Sequence, residues 1–102
     1  MTRPPIVLKL GGELLEDGPQ TRTVAAEIAR AAAAVPVAVL HGGGREIDAA
    51  LARAGIPKQQ VDGLRVTDQP TLDIVVSVLA GAINTRLVAA INAAGGRAVG
   101  LT

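Results

Sequence analysis

Residues 36–51 read PVAVLHGGGREIDAAL, and the predicted architecture follows from this stretch. An apolar run ends at Leu40, His41 comes next, and three glycines precede a helical pattern with Ile47 and Leu51 on one face. This pattern predicts a strand, a tight loop and the start of a helix. Glycines let a loop approach a ligand closely, and the first turn of a helix offers unpaired N–H groups and a positive dipole end. The stretch therefore predicts an anion-binding loop.

A second apolar run with the same arrangement comes earlier in the chain. The residues IVLKL, Ile6–Leu10, end at Gly11 and Gly12. If both runs are parallel strands, the two glycine turns meet at the carboxyl edge of the sheet, where ligands bind in open α/β folds. Lys9 lies beside the first turn, and its ammonium suits a phosphate. Neither G-x-x-x-x-G-K-[ST] nor a complete dinucleotide fingerprint occurs in the sequence.

Composition limits the possible functions. The 102 residues make at most one domain, and without Phe, Tyr or Trp the core must consist of smaller apolar side chains. A net charge of +1 with scattered Lys and Arg argues against a nucleic-acid platform. The uncharged apolar runs 31–40 and 74–83, ten residues each, are too short to span a bilayer. The absence of cysteine excludes disulfides and thiolate metal sites and fits a cytoplasmic protein.

The connecting segments predict helices and a small hairpin. Thr21 or Thr23 is expected to cap a helix that continues to about Ala34, and a second helix is expected over residues 45–54. Asp62-Gly63, flanked by short β-type segments, predicts a hairpin that projects Arg65.

A long helical region is predicted to begin near Pro70, after the capping residue Asp68, and to end at Ala94, with Gly81 as a possible point of kinking. Its apolar residues recur every three or four positions: Leu72, Val76, Leu79, Ile83, Leu87 and Ile91. This face is broader than one sheet layer needs, so part of it is expected to contact a partner.

Residues 97–101 are predicted to form a third parallel strand. The expected order of elements describes an α/β protein with a half-finished doubly wound sheet, because parallel sheets normally have helices on both faces. No helix follows the last strand to cover it. We therefore expect the chain to be a fragment or to need another chain.

Several motifs, in order, closely resemble those of the N-acetyl-L-glutamate kinases of the amino-acid kinase family. They are KLGG at 9–12, HGGG at 41–44, GLRVT at 63–67, LAGxxN at 79–84 and AVGL at 98–101. The resemblance implies a three-layer α/β/α sandwich of the carbamate kinase-like type, incomplete here, with residues 1–102 as the N-terminal substrate-binding lobe and the C-terminal ATP-binding lobe absent. It also implies transfer of the γ-phosphoryl group of ATP to the side-chain carboxylate of N-acetyl-L-glutamate, a cytoplasmic step of arginine biosynthesis.

The resemblance also implies a role for each matched residue. The implied set is Lys9 as the catalytic residue that stabilises the transferring phosphoryl group, Gly11 and Gly12 at the ATP phosphates, Gly43 and Gly44 at the acceptor substrate, and Arg65 at the substrate's carboxylate. The implied cofactor is ATP with Mg²⁺ held mainly by the nucleotide, and no metal site is expected on the protein. A homo-oligomer formed through the helical region from Pro70 to Ala94 is implied as well, with no nucleic-acid or membrane partner.

Three alternatives remain open at the level of sequence. A related kinase acting on a carrier-bound aminoadipate is one, although Gly63-Leu64-Arg65 favours N-acetylglutamate. Some N-acetylglutamate synthases carry a similar kinase-like domain but lack the lysine at the first glycine turn, so Lys9 favours a kinase. The third is a non-catalytic module that self-associates or binds a ligand. One departure from the family pattern is Arg45, where many relatives have proline.

Overall fold

The computed structural model describes residues 3–102. It contains β1 Ile6–Leu10, a 3₁₀ turn Gly12–Leu15, α1 Gly18–Ala32, β2 Val37–His41, α2 Gly44–Arg53, β3 Gln60–Val61, β4 Leu64–Arg65, α3 Gln69–Val76, a π-helical segment Ser77–Ile83 and α4 Asn84–Ala93. The α/β class, with a parallel sheet and a small hairpin, is confirmed.

The parallel sheet consists of β1 and β2, with Ile6 opposite Val37 and Leu10 opposite His41. Side chains alternate between the two faces of a strand. On one face Leu10 and Val39 pack in the core with Ile28 of α1, whereas Val7 and Leu40 are exposed on the other. Within residues 3–102, helices therefore cover one face of the sheet and leave the other exposed.

The core lies between this sheet face and the helices. Its buried apolar residues come from β1, the 3₁₀ turn, α1, α2, the π-helical segment and α4: Leu10, Leu15, Ala25, Ile28, Ile47, Leu51, Val78, Ile83, Leu87 and Ile91.

Helix α1 begins earlier than the sequence indicated. The carboxylate of Asp17 accepts a hydrogen bond of 2.7 Å from the amide of Gln20, so Asp17 is the cap and not Thr21 or Thr23. Pro19 in the first turn has a fixed φ that favours a helix start. Thr23 lies inside the helix and donates its hydroxyl to the carbonyl of Pro19.

The predicted hairpin is confirmed. β3 and β4 pair antiparallel across Asp62 and Gly63, which have φ values of 51° and 77°. Two successive residues with positive φ are the requirement of a type I′ turn.

The long helical region runs from Gln69 to Ala93 and, as predicted, is capped by Asp68, whose side chain accepts from the amide of Thr71 at 3.0 Å. By length and composition this 25-residue helix could cross a bilayer, as many core helices of globular proteins also could. Ile83, Leu87 and Ile91 are buried in the core of this chain.

The π-helical segment corrects the predicted apolar stripe. A π-helix has more residues per turn than an α-helix, so neighbours on one face lie five positions apart. The buried residues Val78 and Ile83 have this spacing, which turns the N-terminal half of the region relative to the C-terminal half. Leu72 and Val76 are consequently 42% and 53% exposed, although regular α-helical spacing had placed them on the buried face.

Residues 97–101 do not form the predicted third strand. The Asn92 side chain takes both backbone groups of Ala98: its Oδ1 accepts from the Ala98 amide at 2.7 Å and its Nδ2 donates to the Ala98 carbonyl at 3.3 Å. No backbone hydrogen bond joins residues 97–102 to β2. An asparagine side chain thus replaces a neighbouring strand at this point.

Candidate functional site

The two glycine turns lie against each other at the carboxyl ends of β1 and β2. The amide of Gly42 donates to the carbonyl of Leu10 at 3.2 Å. A Cβ atom on Gly12 would lie 2.7 Å from Cα of Gly43, so the two backbones are in direct contact. Lys9 pairs with Leu40, one position before His41, and therefore belongs to the same edge. The structure thus brings together Lys9, Gly11, Gly12, Gly43 and Gly44.

The first turn of α2 presents unpaired donors beside this contact. Gly43 precedes the helix and supplies no side-chain cap, while its carbonyl accepts from the amide of Ile47 at 2.9 Å. Within residues 3–102 no acceptor pairs with the amides of Gly44, Arg45 or Glu46. Unpaired amides at a helix N-terminus favour an anion.

The π-helical segment packs against the second glycine turn. Gly43 is buried, and a Cβ atom there would collide with the Ile83 side chain and lie 3.0 Å from Cδ2 of Leu79. Only a glycine fits this position without displacement of the core. The π-helical spacing that buries Ile83 therefore also places its side chain against Gly43.

The surroundings of the first turn carry both signs of charge. Lys9 is exposed and forms no ion pair with any residue from 3 to 102. The Glu13 carboxylate folds back over Gly11, with Oε1 2.5 Å from the point where a Cβ atom of that glycine would lie. A phosphate at Gly11 would require this exposed side chain to move away, which its free rotation allows.

Arg65 joins the site through α2. Its Nη2 donates to Oδ1 of Asp48 at 2.7 Å, and Nζ of Lys58 donates to the other carboxylate oxygen at 3.1 Å. The hydrogen bonds from Arg65 and then Lys58 hold the pKa of Asp48 below its ordinary value of 3.8. Asp48 is one helical turn beyond Gly44, about 6 Å along the axis, so Arg65 lies beside the helix that begins at the second glycine turn.

One guanidinium nitrogen of Arg65 remains unused. Nη1 is buried and has no hydrogen-bond partner in the described part of the chain. Burying such a donor without a partner costs free energy. Arg65 therefore has one nitrogen bonded to Asp48 and a second that is both buried and without an acceptor.

Sequence reasoning missed Arg86, which contacts both glycine-turn segments. Its Nη2 donates to the carbonyl of Leu15 at 2.7 Å and to Oε1 of Glu46 at 2.6 Å. An arginine on a helical face resembles any solvated charge in the sequence, and its partners lie 71 and 40 positions away. No local pattern could have revealed these contacts.

Comparison with known proteins identifies the family of the chain. The model of the amino acid kinase family matches residues 4–102. The acetylglutamate kinase of Acaryochloris marina is 43% identical over 97 residues, which are 94% of this chain and 34% of that protein. The acetylglutamate kinase of Synechocystis sp. is 46% identical over 97 residues, 94% of this chain and 33% of that protein. The chain thus spans about a third of the length of these curated relatives.

Solved structures show the same fold. The N-acetylglutamate synthase of Neisseria gonorrhoeae, complexed with coenzyme A and N-acetyl-glutamate, superimposes with a TM-score of 0.76 at 27% identity over 93% of this chain and 22% of its own. Its complex with coenzyme A and L-arginine gives a TM-score of 0.72 at 27% identity over 95% of this chain and 23% of its own. With a family model that covers almost every residue and a superimposable backbone, the chain belongs to the amino acid kinase family.

Proposed function

We propose that the chain is the substrate-binding part of an acetylglutamate kinase, which transfers the γ-phosphoryl group of ATP to the side-chain carboxylate of N-acetyl-L-glutamate in arginine biosynthesis in the cytoplasm. The observation that carries the proposal is the backbone contact between Gly12 and Gly43, with Lys9 on the same sheet edge. Two anion-binding turns in contact suit a reaction between two anions, a phosphate chain and a carboxylate. The curated relatives named acetylglutamate kinase support this choice of substrates.

The proposed role of each residue follows from the chemistry of phosphoryl transfer. Negative charge spreads over the peripheral oxygens of the transition state, so catalysis depends on fixed donors and cations. In the proposal the amides of Gly11 and Gly12 bind the ATP phosphates, those of Gly43 and Gly44 bind the acceptor, and the Lys9 ammonium stabilises the transferring group. Holding both reactants in contact lowers the entropic part of the barrier.

Arg65 binds a carboxylate of N-acetylglutamate in this proposal. The bond from Nη2 to Asp48 supports the role, because it holds the guanidinium beside α2, and a carboxylate would give the buried Nη1 the acceptor it lacks once the side chain turns toward the ligand. The planar guanidinium matches a carboxylate better than a lysine ammonium does. Asp48 also prevents the long side chain from moving freely, which reduces the entropy lost on binding.

The proposed cofactor is ATP with Mg²⁺. Unpaired amides and a free lysine fit a phosphate chain, and the residues from 3 to 102 offer no group of three or more His, Asp or Glu for a metal. In the proposal the ion is held mainly by the nucleotide and neutralises phosphate charge. Because the curated relatives are about three times longer, we expect residues 1–102 alone to bind N-acetylglutamate weakly, without measurable turnover.

Titration calorimetry with N-acetyl-L-glutamate tests the proposal, with N-acetyl-L-glutamine as the matched ligand that lacks the side-chain carboxylate. We expect heat with the first ligand and a loss of affinity of about tenfold or more in Arg65→Ala, since a charged hydrogen bond contributes about 1.5–3 kcal/mol. The control Arg30→Ala removes an exposed arginine from α1 and should bind normally. No heat from a chain with a folded circular-dichroism spectrum would contradict the proposal.

Exposed apolar side chains favour self-association as a second function. Leu72 and Val76 are both more than one-third exposed on the long helix, within the region from Pro70 to Ala94. Large apolar side chains that neighbour each other on a surface often mark an interface. We propose that a homo-oligomer forms through this face, whether or not the chain is catalytic. A kinase of a carrier-bound aminoadipate derivative remains the alternative for the substrate.

A further inference from the structure

Arg86 joins the segments that follow the two glycine turns. One of its acceptors is the carbonyl of Leu15, the last residue of the 3₁₀ turn that comes after Gly11. The other is the carboxylate of Glu46, in the first turn of α2 after the second glycine turn. A single nitrogen, Nη2, makes both contacts, at 2.7 Å and 2.6 Å. The two segments therefore share one donor.

These contacts are well placed to matter energetically. Leu15 is 1% exposed, and the side chain that donates to its carbonyl, Arg86, is 41% exposed. Short hydrogen bonds from a charged donor are about twice as strong as neutral ones. Within residues 3–102 one ion pair joins the two regions directly, from Arg45 to Glu16 at 3.6 Å, and its arginine is 81% exposed. Exposed pairs of that kind contribute little.

Because the two glycine turns are in backbone contact, the position of one turn affects the other. Gly12 and Gly43 touch without an intervening side chain, so a small displacement of either turn changes the space available at the other. Arg86 lies three residues beyond Ile83, the side chain that supports Gly43. The same stretch of helix thus contacts the second glycine turn through Ile83 and the two segments that follow the turns through Arg86.

We propose that Arg86 is a positioning residue that couples the two glycine turns, so that a phosphate chain bound at the first turn raises the affinity of the second turn for the acceptor carboxylate. This inference rests on the function proposed above. Arg86 itself touches neither ligand. Its effect is to keep the two turns at one separation, so the ordering that one ligand causes is already present when the other binds.

The test measures coupling by titration calorimetry, with inorganic tripolyphosphate and N-acetyl-L-glutamate as probes. In the unaltered chain, saturating tripolyphosphate should raise the affinity for N-acetylglutamate about fivefold or more. In Arg86→Ala that ratio should fall to about one, while each ligand alone binds within about threefold of normal. The matched control Arg30→Ala, which also removes an arginine from an ion pair, should keep the full ratio.

Glu46→Ala is a second variant that tests the same link if Arg86→Ala does not fold. It removes one acceptor and leaves the bond from Arg86 to the Leu15 carbonyl, so the coupling should fall while the circular-dichroism spectrum stays normal. The double variant Arg86→Ala/Glu46→Ala should lose no more coupling than Arg86→Ala alone, because both changes break one link. Normal coupling in Arg86→Ala, or no coupling in an unaltered chain that binds both probes, would overturn the proposal.

Amide hydrogen exchange separates failure of this inference from failure of the proposed function. The amides of Leu14 and Gly42, which are hydrogen-bonded within and between the turns, should exchange several-fold faster in Arg86→Ala and at the normal rate in Arg30→Ala. If the unaltered chain binds neither probe, the proposed function is wrong, and faster exchange at both amides still supports the link made by Arg86. Unchanged exchange at both amides overturns that link.

Discussion

Gly12 lies against Gly43 so closely that a Cβ atom on Gly12 would be 2.7 Å from Cα and 2.8 Å from the amide nitrogen of Gly43. Both atoms belong to the backbone, so no side-chain rotation can make room. Gly12 is thus required by this contact, whereas Gly43 is required by the side chains of Ile83 and Leu79. This contact places the two glycine turns side by side.

Gly12→Ala should destabilise the chain by about 1–3 kcal/mol, the usual cost of inserting an atom into packed structure. Urea unfolding followed by circular dichroism measures the change. Gly44→Ala is the matched control, because a Cβ atom at Gly44 has nothing within 4 Å, and it should leave the free energy of unfolding nearly unchanged. Equal stability of the two variants would contradict the contact.

Val78→Ala and Val76→Ala test the π-helical spacing with one substitution at two positions. Val78 is 8% exposed and Val76 is 53% exposed. The first variant should lose about 2 kcal/mol of unfolding free energy, and the second should change by less than about 0.5 kcal/mol. A larger loss in Val76→Ala than in Val78→Ala would place Val76 on the buried face, as regular α-helical spacing predicts. That result would contradict the π-helical segment.

Asp48→Asn should show a pH-dependent loss of stability. Because Arg65 and Lys58 lower the pKa of folded Asp48 below 3.8, its ionised form stabilises the fold above the pKa of the unfolded chain, and this stabilisation disappears as the pH falls through the folded pKa. For a carboxylate that is 37% exposed, we expect a loss at pH 7 of about 0.2–1 kcal/mol. Urea unfolding at pH 7 and about pH 2 measures it.

The difference between wild type and Asp48→Asn should vanish at the lower pH. Asp73→Asn serves as the control, since Asp73 forms no ion pair within residues 3–102. A stability difference for Asp48→Asn that is the same at both pH values would show that the ion pair with Arg65 contributes nothing.

Leu72→Asp and Val76→Asp should dissociate a homo-oligomer that forms through the long helix. Both side chains are exposed in the single chain, so an aspartate there should leave the monomer folded while placing a charge in the interface. Sedimentation velocity measures the change in mass. Ile83 is unsuitable for this test because it is 1% exposed and an aspartate there would disrupt the core. A wild-type chain that sediments as a monomer would contradict the interface.

Elements with local signals were predictable from the sequence. Asp62-Gly63 specifies its turn through two adjacent residues, and the paired glycine turns follow directly from two strand-like runs. The cap of α1 was wrong because Asp17 and the two threonines are all suitable cappers, and Pro19 decides between them. Because several residues could cap α1, the sequence located the start of this helix only to within a few residues.

Features that depend on distant partners were not predictable. The third strand at residues 97–101 was wrong because the Asn92 side chain takes the backbone groups of Ala98, a pairing that no strand propensity reveals. The π-helical segment was missed because an extra residue in one turn leaves no mark in apolar spacing until the buried face is known. Arg86 was missed for the same reason, since its contacts exist only in the folded chain.

Nuclear magnetic resonance of the glycine amides tests most directly whether the two turns form one anion-binding site. Tripolyphosphate should shift the signals of Gly11 and Gly12, and N-acetyl-L-glutamate those of Gly43 and Gly44, while Lys9→Ala should weaken the first response more than the second. Saturable shifts at both turns are the predicted result. If neither anion moves these signals in a folded chain, or if the shifts fall only on remote surface residues, the central claim is wrong.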